Sequence, residues 1–173
     1  MKRFTLAVLV HNQFGVLNRL TSMFRRRQFN ICSITASETE SPAYSRITFS
    51  FDGDEGKKQQ LINQLYKLPD VCAIKEVTLE TSLNYELMMI KMKNDPAVRA
   101  EISAAAAAFK AETVDYTRDS FVLRLFGNSA KMDEFINLMR DYTILEICRS
   151  GIASMEKGGS TLQPTMNYKE RGI

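Results

Sequence analysis

The chain has a single histidine, His11, in 173 residues. It stands beside Asn12, with no serine or cysteine nucleophile in the same motif, and reads as a polar residue at a strand end rather than a catalytic base. No G-x-S-x-G, H-E-x-x-H, Walker loop or dinucleotide fingerprint occurs. The chain is therefore read as having no catalytic residues, no cofactor and no metal of its own. Cysteine is scarce too: Cys32, Cys72 and Cys148 are odd in number, widely spaced and set in apolar runs. That excludes a zinc pattern and predicts buried free thiols in a reducing compartment. No apolar run is long enough to span a membrane. The basic start, Met1-Lys2-Arg3, leads into strand-like alternation rather than a signal peptide. A cytoplasmic location is the expectation. Neither sign of charge dominates: 23 basic against 20 acidic residues leave +3, too little to argue for nucleic acid. With 45% hydrophobic and 25% charged residues, the composition is that of a globular chain able to bury one good core or two small ones.

What is present begins with a turn, Asn12-Gln13-Phe14-Gly15. It joins an apolar run, Phe4 to Val10, to an amphipathic helical pattern opening at Val16. Such a turn combines a side-chain amide, a permissive glycine and a helix N-terminus with unpaired N–H groups and partial positive charge. That suits a carboxylate or a phosphate. The same four residues also fit an ordinary strand-to-helix turn with Asn12 bonding its own backbone.

The pattern then repeats. Phe4 to Val10 reads as a buried strand, and Val16, Leu17, Leu20, Met23 and Phe24 recur at helical spacing. Strands follow at Asn30 to Thr39 and Tyr44 to Asp52, the latter with Ile47, Phe49 and Phe51 on one face. A helix starts at Gly53-Asp54-Glu55 and buries Leu61, Leu65 and Leu68; a strand runs from Val71 to Leu79. About 80 residues on, the same order returns. It comprises a strand at Tyr85 to Met92, a helix capped by Asp95-Pro96, strands at Glu112 to Tyr116 and Phe121 to Phe126, a helix from Asn128-Ser129, and a strand from Ile144 to Met155. Each copy is a split βαββαβ unit, so the fold class is α+β with two tandem ferredoxin-like units. The units are placed at 1–80 and 84–157, and a mobile polar tail is expected over 158–173.

The copies differ at their first turn. Copy two has Asn94-Asp95-Pro96, where Asp95 puts a carboxylate at the helix N-terminus and would repel an external anion. Copy one is the better carboxylate site. Glu38, Glu40, Asp52, Asp54 and Glu55 cluster in sequence but at turns and helix starts, where solvation or capping is the ordinary role. Arg25-Arg26-Arg27 could meet phosphate, yet arginines in a last helical turn also complement the helix dipole. An RNA-recognition module shares the βαββαβ shape, but Tyr44 to Phe51 lacks its glycine-containing central strand, and Phe49 and Phe51 share the core face with Ile47.

Leu9-Val10-His11-Asn12-Gln13-Phe14-Gly15-Val16-Leu17-Asn18-Arg19 through Met23 to Ile31 resembles the regulatory small subunit of acetolactate synthase. Ser33-Ile34-Thr35, Ser45 to Thr48, Gln64 to Leu68, Val71, Met89-Ile90-Lys91 and Arg149-Ser150-Gly151-Ile152 extend the likeness over about residues 2 to 157. His11 and Cys32 stand where the family usually has acidic residues, Gln28 where it has glycine, and Ser37 where it has alanine. The resemblance implies an N-terminal ACT domain, a C-terminal ACT-like domain, and a homodimer through the ACT domains. It also implies a partner, the separate thiamine-diphosphate-dependent catalytic subunit. The small subunit would raise that partner's activity and confer feedback inhibition, usually by valine, in branched-chain amino-acid synthesis. On this basis a branched-chain amino acid is expected between paired N-terminal domains. Its carboxylate would meet the N–H groups of Gly15 and Val16, and Asn12 would bond its ammonium or carboxylate. Leu17 would line the pocket, and Asn30 and Ile31 of the partner chain would close it. A stand-alone ACT-type amino-acid sensor or transcription regulator stays open as the alternative, as does an RNA-binding module.

Overall fold

The computed structural model describes residues 2–164. The first unit is built from β1 (Lys2–His11), α1 (Val16–Arg26), β2 (Ile31–Glu38), β3 (Tyr44–Gly53), α2 (Glu55–Leu65) and β4 (Val71–Glu76). Its antiparallel sheet has the order β2-β3-β1-β4. Alternation along β1 sends Phe4, Leu6, Val8 and Val10 toward the helices, where they meet Leu20, Phe24, Phe49, Phe51, Leu61 and Leu65. At about 25 cal/mol per Å² of apolar surface, each such buried side chain contributes about 1.5–3 kcal/mol. β1 is central and buries its other face as well: Ala7 and Leu9 are enclosed.

The second unit repeats this with β5 (Ser82–Lys93), α3 (Arg99–Ala108), β6 (Glu112–Tyr116), β7 (Ser120–Gly127), α4 (Ser129–Met139) and β8 (Ile144–Arg149), in the order β6-β7-β5-β8. Its core joins Met88, Ile90 and Met92 to Ile102, Phe135 and Met139. The repeat read from the sequence is thus present as two antiparallel α+β units of one topology.

Several boundaries differ from the sequence reading: β4 ends at Glu76 rather than Leu79, β5 opens at Ser82 rather than Tyr85, and two differences go further. The closing strand expected over 144–155 is broken. β8 ends at Arg149, Gly151 takes φ 78°, and a short β9 (Ala153–Glu156) pairs with β5. Regular helix in α3 starts at Arg99, after a turn over 96–98. The cap expected at Asp95-Pro96 is therefore not formed: the N-cap is Val98, without a side-chain cap, and the Asp95 side chain accepts from the Ala97 amide at 3.0 Å within the preceding turn. Among the described residues the chain divides by proximity into Asn84–Gly151 and a unit holding residues 2–83 with 152–164. Within that first unit Lys75 bonds Glu156, Ser160 Oγ and the Thr161 carbonyl, and Leu162, like Tyr44, packs against the cluster of Leu9, Cys72 and Ala73. The tail expected from residue 158 therefore begins in contact with the first sheet; residues 165–173 lie outside those described.

The thiol expectation needs correction. Cys72 is buried, but Cys32 and Cys148 are exposed. Both lie on outer strands, Cys32 on β2 and Cys148 on β8, where an apolar run does not imply enclosure. Gln28 and Lys110 take φ 57° and 56° just past α1 and α3. The following amides, Phe29 and Ala111, reach back to the Phe24 and Ala106 carbonyls. This is the left-handed helix stop that glycine fills best.

Candidate functional site

Gly15 adopts φ 82° and ψ −2°, a left-handed conformation that disfavours side chains. No side chain caps α1 and no acid lies in its first turn. The Val16 amide stands 3.4 Å from the Gln13 carbonyl. Among the described residues nothing accepts from the amides of Leu17 and Asn18. The helix therefore presents donors and a partial positive charge to solvent, in an open depression lined by Asn12 to Asn18.

Asn12 sits at the rim. Its Nδ2 donates to Glu38 Oε1 at 3.0 Å and to the Pro42 carbonyl at 3.1 Å. Both amide hydrogens are thus engaged, and Oδ1 is the free group, an acceptor. The turn is braced from below. The His11 amide donates to the Asp70 carbonyl at 2.9 Å, and the His11 ring stacks on Tyr44 at 5.4 Å. Arg19 Nε and Nη2 donate to the Asp70 carboxylate at 2.6 and 3.0 Å, a bidentate clamp that fixes α1 to the entry of β4. Val16 is core, 5% exposed, whereas Leu17 is 47% exposed. The apolar stripe had placed Leu17 in the core as well as at the site; the helix instead turns it toward the depression's side.

The matching turn of the second unit shows what this one omits. The amides of Asn94, Asp95 and Val98 bond the Asp119, Lys93 and Asp95 carbonyls, as those of Asn12, Gln13 and Val16 bond Ala43, His11 and Gln13. Asn94 Nδ2 holds the Thr117 carbonyl as Asn12 holds that of Pro42. Ala97 stands where Gly15 does, and the Asp95 carboxylate accepts its amide. Arg99, in the place of Leu17, sends Nη1 to Asn94 Oδ1 at 3.5 Å and to the Tyr116 hydroxyl at 2.7 Å. Hydrogen bonds from Asn94 and then Arg99 hold the Tyr116 phenol below its ordinary value. The second unit thus carries its own carboxylate at the helix start and its own cation at the asparagine. In the first unit the same two places are polar and open.

Asn30 and Ile31 do not join this turn within one chain. His11 pairs with Tyr44 and Ile31 with Phe51, at opposite ends of β3, roughly 20 Å apart at about 3.3 Å per residue. Asn30 is exposed just before β2, and Ile31 is half-buried. Sequence reading missed the pairing of Asp70 with Arg19, and it gave Glu38 a solvated or capping role. Strand register alone could have brought Glu38 to Asn12. Phe49 and Phe51 are each 1% exposed, which leaves this strand no aromatic platform for bases. The described residues hold no cluster of three metal-ligating side chains and no helix long and apolar enough to cross a membrane.

Two family models match the chain: an "AHAS small subunit-like ACT domain" over residues 6–73 and "Small subunit of acetolactate synthase" over 85–158. A probable acetolactate synthase small subunit of Archaeoglobus fulgidus is 42% identical over 90% of this chain and 98% of its own length. The acetolactate synthase small subunit of Bacillus subtilis is 39% identical over 91% and 92%, and that of isozyme 3 of Escherichia coli is 32% identical over 93% and 99%. The crystal structure of the small subunit from Thermotoga maritima superposes with a TM-score of 0.81 at 31% identity, covering 92% of this chain and all of that one.

Proposed function

The chain belongs to the family of acetolactate synthase small subunits, regulatory chains with no catalytic role of their own, and from that premise we propose what it regulates and how. It binds the thiamine-diphosphate-dependent catalytic subunit, raises its activity, and makes it subject to feedback inhibition by a branched-chain amino acid, valine first among them. The effector site is the turn from Asn12 to Leu17. The effector carboxylate lies at the amides of Gly15 and Val16, with the open amides of the next residues in the same helical turn. The effector ammonium faces Asn12 Oδ1, with the Glu38 carboxylate beside it. Leu17 offers apolar surface to the branched side chain. Asn30 and Ile31 of a second copy close the pocket, so a two-fold dimer through the first units has two such sites.

One observation carries this reading. The second unit fills the equivalent places with the Asp95 carboxylate and the Arg99 guanidinium, the two charges an amino acid itself would bring. The effector acts by preferring one arrangement of the assembly, with a coupling of about 1–3 kcal/mol as the usual scale.

The test is an acetolactate-formation assay with the catalytic subunit, with and without this chain, titrated with valine, leucine and isoleucine. Activation followed by inhibition by one of the three is the expected result. Failure to activate removes the regulatory-subunit function. Amino-acid binding by the chain alone, with no activation, favours a stand-alone sensor.

A further inference from the structure

We propose that the groove between α1 and α2 in the first unit is where this chain grips the catalytic subunit, and that its occupant is an acidic segment with an apolar side chain. The proposal rests on the regulatory function above. Arg19, Arg26, Arg27 and Lys67 line the groove, Met23 and Leu68 give it a small apolar floor, and no carboxylate is among the lining residues, Asp70 being engaged by Arg19 behind them. Arg25, also exposed, adjoins it.

The clustering of cations sets this place apart: Arg46 and Lys57 also have no carboxylate within 4.0 Å among the described residues, but neither lines the groove. Elsewhere in the unit Lys2, Arg3, Lys58 and Lys75 each lie within 4.0 Å of a carboxylate, as Arg19 does at the groove's edge. Among the described residues Arg25, Arg26, Arg27 and Lys67 have no such partner. The dipole of α1 accounts for arginines in its last turn. It does not account for Lys67, which arrives from beyond α2 to face them, and half a charge at a helix end does not balance four cations. Arg27 is also pre-positioned, since its Nη2 donates to Gln64 Oε1 at 3.3 Å. Unpaired cations around an apolar floor match carboxylates flanking an apolar side chain. A nucleic-acid backbone would match the cations but make no use of the apolar surface that Met23 and Leu68, packed in the core behind, turn to the groove.

The experiment uses the full chain and the catalytic subunit, and reads the small-subunit concentration that gives half-maximal activation, at low and high salt. Charge reversal by Arg26→Glu with Lys67→Glu should raise that concentration by about tenfold or more and flatten its salt dependence. The neutral pair Arg26→Gln with Lys67→Gln, which does not oppose the helix dipole, should fall between. Retained far-UV helical signal certifies the fold of each variant. Activation by the folded reversal variant at the unmutated concentration overturns the surface alone. Absence of activation by the unmutated chain overturns the regulatory function and the surface together. Salt-sensitive RNA binding that the reversal abolishes, with activation intact, assigns the groove to nucleic acid and overturns the proposal.

Discussion

The two units share a topology, and even the backbone bonds of their first turns, yet one turn is closed by the chain's own charges and the other is open. In the second unit Asp95 accepts from the Ala97 amide in the turn just ahead of the helix, and Arg99 meets Asn94. In the first, Gly15 and Leu17 replace the residues that do this. Fold and site are therefore separable: the asparagine that ties strand end to hairpin is common to both units and belongs to the architecture. What distinguishes the first turn is the lack of side chains beyond it. The units also differ in where they bury charge. The first clamps Arg19 to Asp70, with side chains 43% and 10% exposed. The second joins Arg149 to Glu86 at 31% and 3%, with Asp133 as a third member.

The largest effect should come from that last contrast. Arg149→Ala leaves the Glu86 carboxylate buried without its guanidinium. Removing one partner of a buried pair costs about 3–5 kcal/mol. Arg19→Ala leaves a more accessible carboxylate and should cost less, about 1–3 kcal/mol, the usual penalty for an orphaned polar group. Hydrogen exchange resolved by unit is the measurement. Protection should fall most in β5 and β8 for the first variant and in α1 and β4 for the second. A larger loss for Arg19→Ala would break the contrast.

Next in size is the turn itself. Gly15→Asn and Gly15→Asp both place a side chain at a positive φ, where a Cβ stands 3.4 Å from Arg19 Nη1. Asn and Asp tolerate this region better than other residues, so the strain is common to the pair, of order 1 kcal/mol. Only Asp adds a negative charge at the helix start, imitating the second unit. Amino-acid inhibition should be lost, or weakened by about tenfold or more (about 1.4 kcal/mol), in Gly15→Asp relative to Gly15→Asn, while both still activate the catalytic subunit. Equal inhibition in the two variants would remove the charge argument and the site with it.

These contrasts also show what could be read from the sequence. Periodicity carried the repeat, because each unit buries one face of its sheet against two helices and so prints period-2 and period-3.6 patterns in order. Alternation in β3 placed Ile47, Phe49 and Phe51 together in the core. Periodicity failed where an apolar residue lies at an edge. Leu17 keeps the stripe's spacing but sits in the first turn of α1, and Cys32 and Cys148 lie on outer strands. Gly151 broke a strand that hydropathy alone left continuous. The openness of the Asn12–Gly15 turn was legible only by contrast with Asp95. Its support was not: Arg19 and Asp70, like Asn12 and Glu38, meet through strand register and helix packing, which local spacing does not encode.

The smallest expected effect concerns the faces of the sheets turned away from the helices. In the second unit that face exposes Tyr85 stacked on Phe126 at 5.0 Å, with Met89 nearby. In the first unit, Leu162 covers Leu9 and Ala73. Glu156 anchors the covering segment. A hydrogen bond from Lys75, then one from Ser160, holds its carboxyl below the ordinary 4.5. A depressed carboxylate contributes stability above its unfolded value and loses it as pH falls through the folded one. Docking of the segment should therefore be complete above about pH 4.5 and weaken below it. The Leu162 methyl resonances and those of Ala73 report this, since Leu162 packs against the cluster that Ala73 belongs to. Their acid titration should have a midpoint under 4.5 in the unmutated chain. In Lys75→Met it should move up toward that value, because the cation that favours the ionised form is gone. An unchanged midpoint would show that Leu162, through its apolar contact, holds the segment without help from the charge.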